Sequence, residues 1–202
     1  MIFKNEVEFH KKYKIVAGVD EAGRGPLAGP LVVAAVVLPA KLRIEGLNDS
    51  KKLSKKKREL LFDQIIEKAS YYKIVEISPE KIDELNILWA TMYGMERSVL
   101  ELDCEVDFCL IDGNRVPNGL QEFAEAMVKG DGRFASIAAA SILAKVTRDR
   151  IMLRLHDEFP VYNFAKNKGY PTKEHVAALN RYGITPHHRK SYKPVQQLSF
   201  DF

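Results

Sequence analysis

Between Pro30 and Pro39 the chain reads Leu31-Val32-Val33-Ala34-Ala35-Val36-Val37-Leu38, apolar at every position. A half-buried strand would alternate apolar with polar residues, and this run has no polar face to show to water. It is short, rich in β-branched residues and closed at both ends by proline. It therefore predicts a central strand buried on both faces. Such a strand needs a sheet around it and packed layers above and below.

The flanking sequence supplies those layers. Lys14 to Asp20 predicts a strand ended by the glycine-rich stretch Glu21 to Gly29. A helix is expected after Ser54, an N-cap, with Leu61, Ile65 and Ala69 on one face. Tyr71 to Ile77 predicts a third strand. Ser78-Pro79 opens a short helix, with proline at its first position. Leu88, Met92, Met95, Val99 and Leu102 recur at helical spacing and predict a long buried helix. Val106 to Ile111 predicts a fourth strand, ending at Asp112-Gly113. Ser136 to Phe159 predicts an alanine-rich helix with Ile142, Val146 and Leu153 on one stripe. Lys173 to Tyr182 predicts a last helix, capped by Thr172 and closed by Gly183. Early strands followed by alternating helices and strands indicate an α/β layer fold.

The 202 residues suit one domain, and 46% hydrophobic with 29% charged residues is ordinary for a soluble globular protein. Cys104 and Cys109 cannot form a disulfide scaffold, and nothing nearby completes a zinc set. The N-terminus has no apolar signal core, and Leu31 to Leu38 is far too short for a membrane span. A cytoplasmic protein is expected.

Two apolar strands stop at carboxylates, Asp20 and Asp112. Ligands in open α/β sheets sit beyond the carboxyl ends of strands. If these strands are neighbours, the two acids meet at one sheet edge, as a hard cation such as Mg²⁺ requires. Glu21 follows Asp20, and both can reach one site only if the strand breaks there. The glycines at 23 and 25 make that break reasonable. On spacing alone, turn capping is the favoured reading of Asp20 and Asp112.

Gly23-Arg24-Gly25 places an arginine between two glycines, whose amides can approach a phosphate or hydroxyl oxygen. A tight hairpin between the first two strands is the plainer reading. The net charge is 31 − 27 = +4, which identifies no partner by itself. Its distribution says more: six Lys or Arg and no acid lie in Lys51 to Arg58. Lys55 to Arg58 occupy a first helical turn, where the dipole disfavours positive charge. Phosphate binding would justify the cluster, while for Lys55, Lys56 and Lys57 individually a solvated face is the favoured reading. His187-His188-Arg189-Lys190 is a second basic stretch, for which surface or phosphate contact is expected.

Taken together, several blocks resemble the type 2 ribonuclease H family, ribonuclease HII of bacteria. They are Asp20-Glu21-Ala22-Gly23-Arg24-Gly25-Pro26-Leu27-Ala28-Gly29-Pro30, Leu47 to Leu53, Ile111-Asp112-Gly113-Asn114, Lys129-Gly130-Asp131, Ala138 to Asp149, Lys168-Gly169-Tyr170-Pro171-Thr172 and His187-His188-Arg189. They cover nearly the whole chain, from about residue 14 to about residue 193.

The resemblance implies an RNase H-like fold, a five-stranded mixed sheet flanked by helices with a helical C-terminal portion. It implies one domain over 1–202, with a core at about 14–159, a helical substrate-binding portion at about 160–193 and a flexible tail at 194–202. It implies hydrolysis of the RNA strand of RNA–DNA hybrids and cutting at single ribonucleotides embedded in duplex DNA, with 3′-hydroxyl and 5′-phosphate products. Two Mg²⁺ or Mn²⁺ ions are expected at Asp20, Glu21, Asp112 and Asp131. Asp149 is read as a supporting acid. Gly23, Arg24 and Gly25 are implied to read the 2′-hydroxyl, Tyr170 to stack at the RNA–DNA junction, and Lys51 and Lys52 to contact phosphates. Arg189 is a further candidate for substrate contact.

Gln197-Leu198-Ser199-Phe200-Asp201-Phe202 resembles the short peptide by which bacterial proteins bind the replication sliding clamp. A frayed terminus with a chance match is the other reading. A monomer is expected by analogy. The nearest alternatives are a ribonuclease HIII-like enzyme and a catalytically inactive hybrid-binding module. The first normally carries an N-terminal substrate-binding domain, whereas 13 residues precede the first strand here. The second gains nothing from four acids facing phosphates.

Overall fold

The computed structural model describes residues 4–199. Five strands, β1 (Val16–Ala22), β2 (Leu31–Val37), β3 (Tyr71–Ile77), β4 (Phe108–Asp112) and β5 (Ala124–Met127), form one sheet in the order β3-β2-β1-β4-β5. β2 runs antiparallel to both β1 and β3, while β4 is parallel to β1 and β5 is parallel to β4. The expected five-stranded mixed sheet is present. Its helices are α1 (Lys4–His10), α2 (Lys55–Lys68), α3 (Pro79–Leu100), α4 (Ala135–Glu158), α5 (Phe164–Asn167), α6 (Lys173–Tyr182) and α7 (Lys193–Ser199).

β2 is buried along its full length, as its composition requires. Val32, Ala34 and Val36 pack with Leu61 and Ile65 of α2 and with α4, while Leu31, Val33, Ala35 and Val37 pack with Ile82, Ala90 and Met95 of α3. One strand thus serves both layers. Two glycines let the helices close on the sheet. A Cβ on Gly18 would run into the backbone of Ser136 and Ile137, and one on Gly94 would meet Val33 Cγ2 at 2.7 Å.

The predicted caps form. Ser54, Ser78 and Thr172 accept the amides of Lys57, Lys81 and His175 at 3.3, 3.3 and 3.2 Å. The two helices expected after Ser78 are both present within Pro79–Leu100 and meet at Asn86, whose φ of 61° is non-helical. Asn86 Oδ1 accepts the amides of Leu88 and Trp89 at 3.0 and 3.2 Å and so caps the second half. α4 departs from the single apolar stripe. Every residue from Ser136 to Ala144 is buried, because the sheet, α2 and α5 enclose it.

Three other expectations are corrected. β1 does not break after Asp20 but continues through Ala22 beside β2. The turn after it is no tight hairpin; residues 23–30 form a wide loop held by the C-terminal segment, with Ala28 bridged to His188. The tail at 194–202 is not loose throughout, since α7 runs to Ser199 with Val195 fully buried and Leu198 packed on the core. Those two apolar residues, three apart, give the short helix a face to bury. Phe200, Asp201 and Phe202 lie outside the described residues. Among the described residues, no helix is long and apolar enough to cross a membrane.

Candidate active site

The site lies where β1 and β4 end side by side. Their parallel pairing stops at Val19 opposite Ile111, so Asp20 and Asp112 are the next residues on neighbouring strands. Glu21 continues β1 past the end of that pairing, so Asp20 and Glu21 stay paired with Ala34 and Val33 of β2 but lie beyond the last β1–β4 pair. Asp20, Glu21 and Asp112 line a cleft of about 270 Å³. A larger hollow of about 480 Å³ lies under α1 but holds none of these carboxylates.

Asp131 arrives from another direction. Gly130 donates its amide to Asp112 Oδ1 at 2.7 Å, which carries the buried Asp131 to the same edge. Lys51 Nζ stands 3.6 Å from Asp131 Oδ2. Burial pulls the Lys51 ammonium down, but the surrounding acids, Asp131 first and then Asp20, Asp49 and Asp112, outweigh it and hold its pKa above the ordinary value. Lys52 instead turns to Asp49, 3.7 Å away, and does not line the cleft.

The acids burden one another. Burial, then Glu21 and Asp112, push Asp20 well above the usual carboxylate range, against the Ser141 hydroxyl and the Glu21 amide, which favour its ionised form. Burial and Asp112 also raise Glu21, offset by Arg24, whose Nη1 lies 3.7 Å from Glu21 Oε1. Burial raises Asp112, with Asp131 adding to it and the Gly130 amide opposing. Among the described residues, no three carboxylate, histidine or cysteine side chains stand close enough to hold an ion as they are. The donor set still fits a hard divalent cation, being oxygen only, anionic, inward-facing and mutually repelling. A cation relieves that repulsion by drawing the carboxylates together.

The glycine-rich loop forms one wall. Gly23 has φ +104°, and a Cβ there would strike the Arg148 side chain. Arg24 is half exposed at the rim. Tyr170 is 45% exposed, and its Cε1 lies 3.5 Å from where a Gly25 Cβ would stand. Two buried guanidinium groups hold this wall. Arg148 Nε donates to the Pro30 carbonyl at 2.9 Å, Nη2 to Ala28 at 3.0 Å and Nη1 to Lys168 at 3.0 Å. Arg189 reaches the carbonyls of Gly23, Arg24 and Gly29. Burial first, and then Arg189, bring the Arg148 pKa down to about 10. The surface contact expected for His188 and Arg189 is corrected, since both are buried and the Arg189 donors go to the loop carbonyls and the Tyr192 hydroxyl.

The sequence reading passed over Ser141, Lys145 and Arg148, which line the cleft from α4. They stand at i, i+4 and i+7, a polar stripe that begins in the apolar first half of the helix, and that spacing was the available signal. Asp149 follows the stripe without lining the cleft. Its carboxylate holds Lys145 at 2.7 Å and Arg58 at 3.9 Å. Arg58 in turn donates to the carbonyls of Ser50 and Leu53, fixing the turn that carries Lys51.

The chain matches the ribonuclease HII family over residues 17–195. It belongs to the ribonuclease HII family. The ribonuclease HII of Psychromonas ingrahamii is 55% identical over 186 residues, 92% of this chain and 91% of that one. The ribonuclease H2 of Pyrococcus horikoshii superposes with a TM-score of 0.77 at 28% identity, covering 93% of this chain and 98% of that one. A ribonuclease HII of Archaeoglobus fulgidus, solved in complex with PCNA, gives 0.76 at 30% identity, covering 93% and 100%. This chain is thus an endonuclease that hydrolyses RNA in RNA–DNA hybrids, and dependence on a divalent metal is general for its family.

Proposed function

We propose that this enzyme also cuts on the 5′ side of single ribonucleotides embedded in duplex DNA, leaving 3′-hydroxyl and 5′-phosphate ends. The observation that carries the reading is the single cleft shared by Asp20, Glu21 and Asp112, the Gly23-Arg24-Gly25 wall and Tyr170. Acids that can hold cations and groups that can tell ribose from deoxyribose face one another across it.

Asp20, Glu21, Asp112 and Asp131 hold Mg²⁺ or Mn²⁺ in this reading. Bound there, such ions would supply charge neutralisation for both the attacking and the leaving oxygen. The protein does the rest. The Gly23, Arg24 and Gly25 backbone reads the 2′-hydroxyl, the group that separates RNA from DNA. Tyr170 packs against the neighbouring deoxyribose and marks the junction. Lys51, Lys52 and Lys145 contact phosphates and fix register rather than sequence. The buried Arg148 and Arg189 add a positive field behind the glycine-rich wall, which helps draw a polyanion toward an acidic centre.

A DNA duplex with one embedded ribonucleotide, compared with an all-RNA strand on DNA, each with and without Mg²⁺ and Mn²⁺, tests the reading. Metal-dependent nicking 5′ to the single ribonucleotide is expected, and Asp20→Asn abolishes it. Cleavage of the uniform hybrid alone would overturn the junction assignment.

A sliding clamp is a second partner under this reading. The Archaeoglobus fulgidus relative was solved bound to PCNA, and Gln197 to Phe202 carries a glutamine and spaced apolar anchors that suit groove binding. Removing residues 197–202 should abolish binding in a clamp titration, and unchanged affinity would remove the clamp from the reading.

A further inference from the structure

A chain of hydrogen bonds runs through the C-terminal portion and ends on the backbone of Tyr170. The Thr185 amide donates to His188 Nδ1 at 2.9 Å, His188 Nε2 meets His175 Nε2 at 3.1 Å, and His175 Nδ1 meets the Tyr170 carbonyl at 3.0 Å. Both ends fix where the protons sit. A carbonyl only accepts, so His175 carries its proton on Nδ1, and its Nε2 is an acceptor. His188 must then donate from Nε2, which leaves its Nδ1 free to accept the Thr185 amide. The Thr185 hydroxyl, 2.9 Å from the same Nδ1, donates as well, and it accepts the His187 amide at 3.2 Å. No group in the chain has two donors or two acceptors facing each other.

The pair is sealed. His175 is 0% and His188 1% exposed, and the rings of Tyr162 and Phe164 pack against both. Two apolar residues would fill this space without the cost of burying four ring nitrogens. What they would not supply is direction, which a fully satisfied polar chain does. The residue at its end is the one whose ring faces the cleft beside Gly25. The adjoining Gly169 carbonyl accepts the Leu27 amide at 2.8 Å, so the same short segment is also tied to the glycine-rich loop.

We propose that His175 and His188 are positioning residues that set Tyr170 against the Gly23-Arg24-Gly25 wall and thereby set the enzyme's preference for the ribonucleotide junction. This rests on the junction role given to Tyr170 above. Neither histidine touches the substrate, and both act through the Tyr170 backbone.

The test is a double-mutant cycle read as junction preference, the ratio of kcat/KM on the single-ribonucleotide duplex to kcat/KM on the uniform hybrid. His175→Phe should lower that ratio about tenfold, within the coupling range of residues in one network, with the uniform hybrid cut nearly as before. His175→Asn, whose side-chain amide can still donate to the Tyr170 carbonyl, should restore most of it. In a Tyr170→Ala background His175→Phe should change the ratio no further. If Tyr170→Ala alone leaves the ratio unchanged, the junction role of Tyr170 falls and this inference with it. If Tyr170→Ala lowers the ratio but His175→Phe does not, or if the two effects add, the positioning role alone is overturned. Should His175→Phe not fold, long-range ¹⁵N NMR of the wild-type enzyme decides. A proton on Nδ1 of His175 and on Nε2 of His188 is expected, and the opposite tautomers would overturn the chain.

Discussion

Arg189 Nη2 donates to the Gly23 carbonyl at 2.6 Å while its Nη1 reaches the Arg24 carbonyl at 3.0 Å, joining residues 166 and 165 apart in sequence. Its Nε and Nη2 also hold the Gly29 carbonyl, and Tyr192 packs beside it with a hydroxyl 3.1 Å away. A planar fork with five donors suits this set of carbonyls, and a lysine ammonium cannot span it. Arg189→Lys is therefore expected to cost about 2–4 kcal/mol, since it leaves loop carbonyls unpaired and a charge buried without its partners. Urea denaturation measures this; a loss within ±0.5 kcal/mol, the range of ordinary surface changes, would show that the guanidinium does not hold the loop.

The repulsion among the acids predicts an unusual sign. Burial, Glu21 and Asp112 raise Asp20 well above its ordinary pKa of 3.8 in the folded chain. A raised carboxyl contributes stability below the unfolded pKa and loses it as pH rises through the folded one. At neutral pH ionised Asp20 thus works against the metal-free fold. Asp20→Asn should stabilise the metal-free protein at neutral pH, since it removes the ionised carboxylate that burial, Glu21 and Asp112 disfavour, while abolishing cleavage. Added Mn²⁺ should raise the melting temperature of the wild type more than that of the variant. A less stable metal-free variant would contradict the electrostatic account.

Gly130 connects the two halves of the acidic set. Its amide holds Asp112 Oδ1, and a Cβ there would meet Ile137 Cδ1 at 2.5 Å and Met127 Cβ at 3.1 Å. Gly130→Ala must shift the turn that carries Asp131. Hydrogen-bond partners of metal-holding groups are worth about 10–100-fold in metal affinity, so the cation concentration for half-maximal cleavage should rise by that order. An unchanged metal dependence would separate Asp131 from the cation site.

Much of this was legible beforehand, and the exceptions share a cause. Strands β1 to β4, the helix caps at Ser54, Ser78 and Thr172, and the two helices that meet at Asn86 depend on residues close together in sequence. Asp20 and Asp112 were visible because each ends an apolar run. Asp131 was found only through its family block, since no local pattern shows that the Gly130 amide will bind Asp112. β5 had no alternating signature, its sequence Ala124-Glu125-Ala126-Met127 being short and weakly strand-forming. Arg148, Arg189, His175 and His188 were least legible. Arginine and histidine read as surface residues until the groups that satisfy them are known: for Arg148 and Arg189 chiefly carbonyls of a loop far away in sequence, for His175 and His188 the Tyr170 carbonyl, the Thr185 amide and each other's ring.

The buried histidines give the fold an acid limit. Burial, and then His175, lower the His188 pKa to about 3, against an ordinary value of 6.5; burial lowers His175 as well. For a histidine depressed in the fold, its stability is fully present above the unfolded pKa and is lost as pH falls, because the unfolded chain takes up a proton the folded one refuses. His188 alone should cost about 1.4 kcal/mol per pH unit on descending from 6.5 toward 3. The raised Glu21, Asp20 and Asp112 act in the opposite sense, gaining stability as pH falls through their folded pKa values. The two effects are separable by mutation. His188→Phe should flatten the loss of stability between pH 6.5 and 4, and Asp20→Asn should steepen it, when urea midpoints are compared across that window without metal. An acid limb of the same slope in His188→Phe would mean that the buried pair does not stay neutral in the fold.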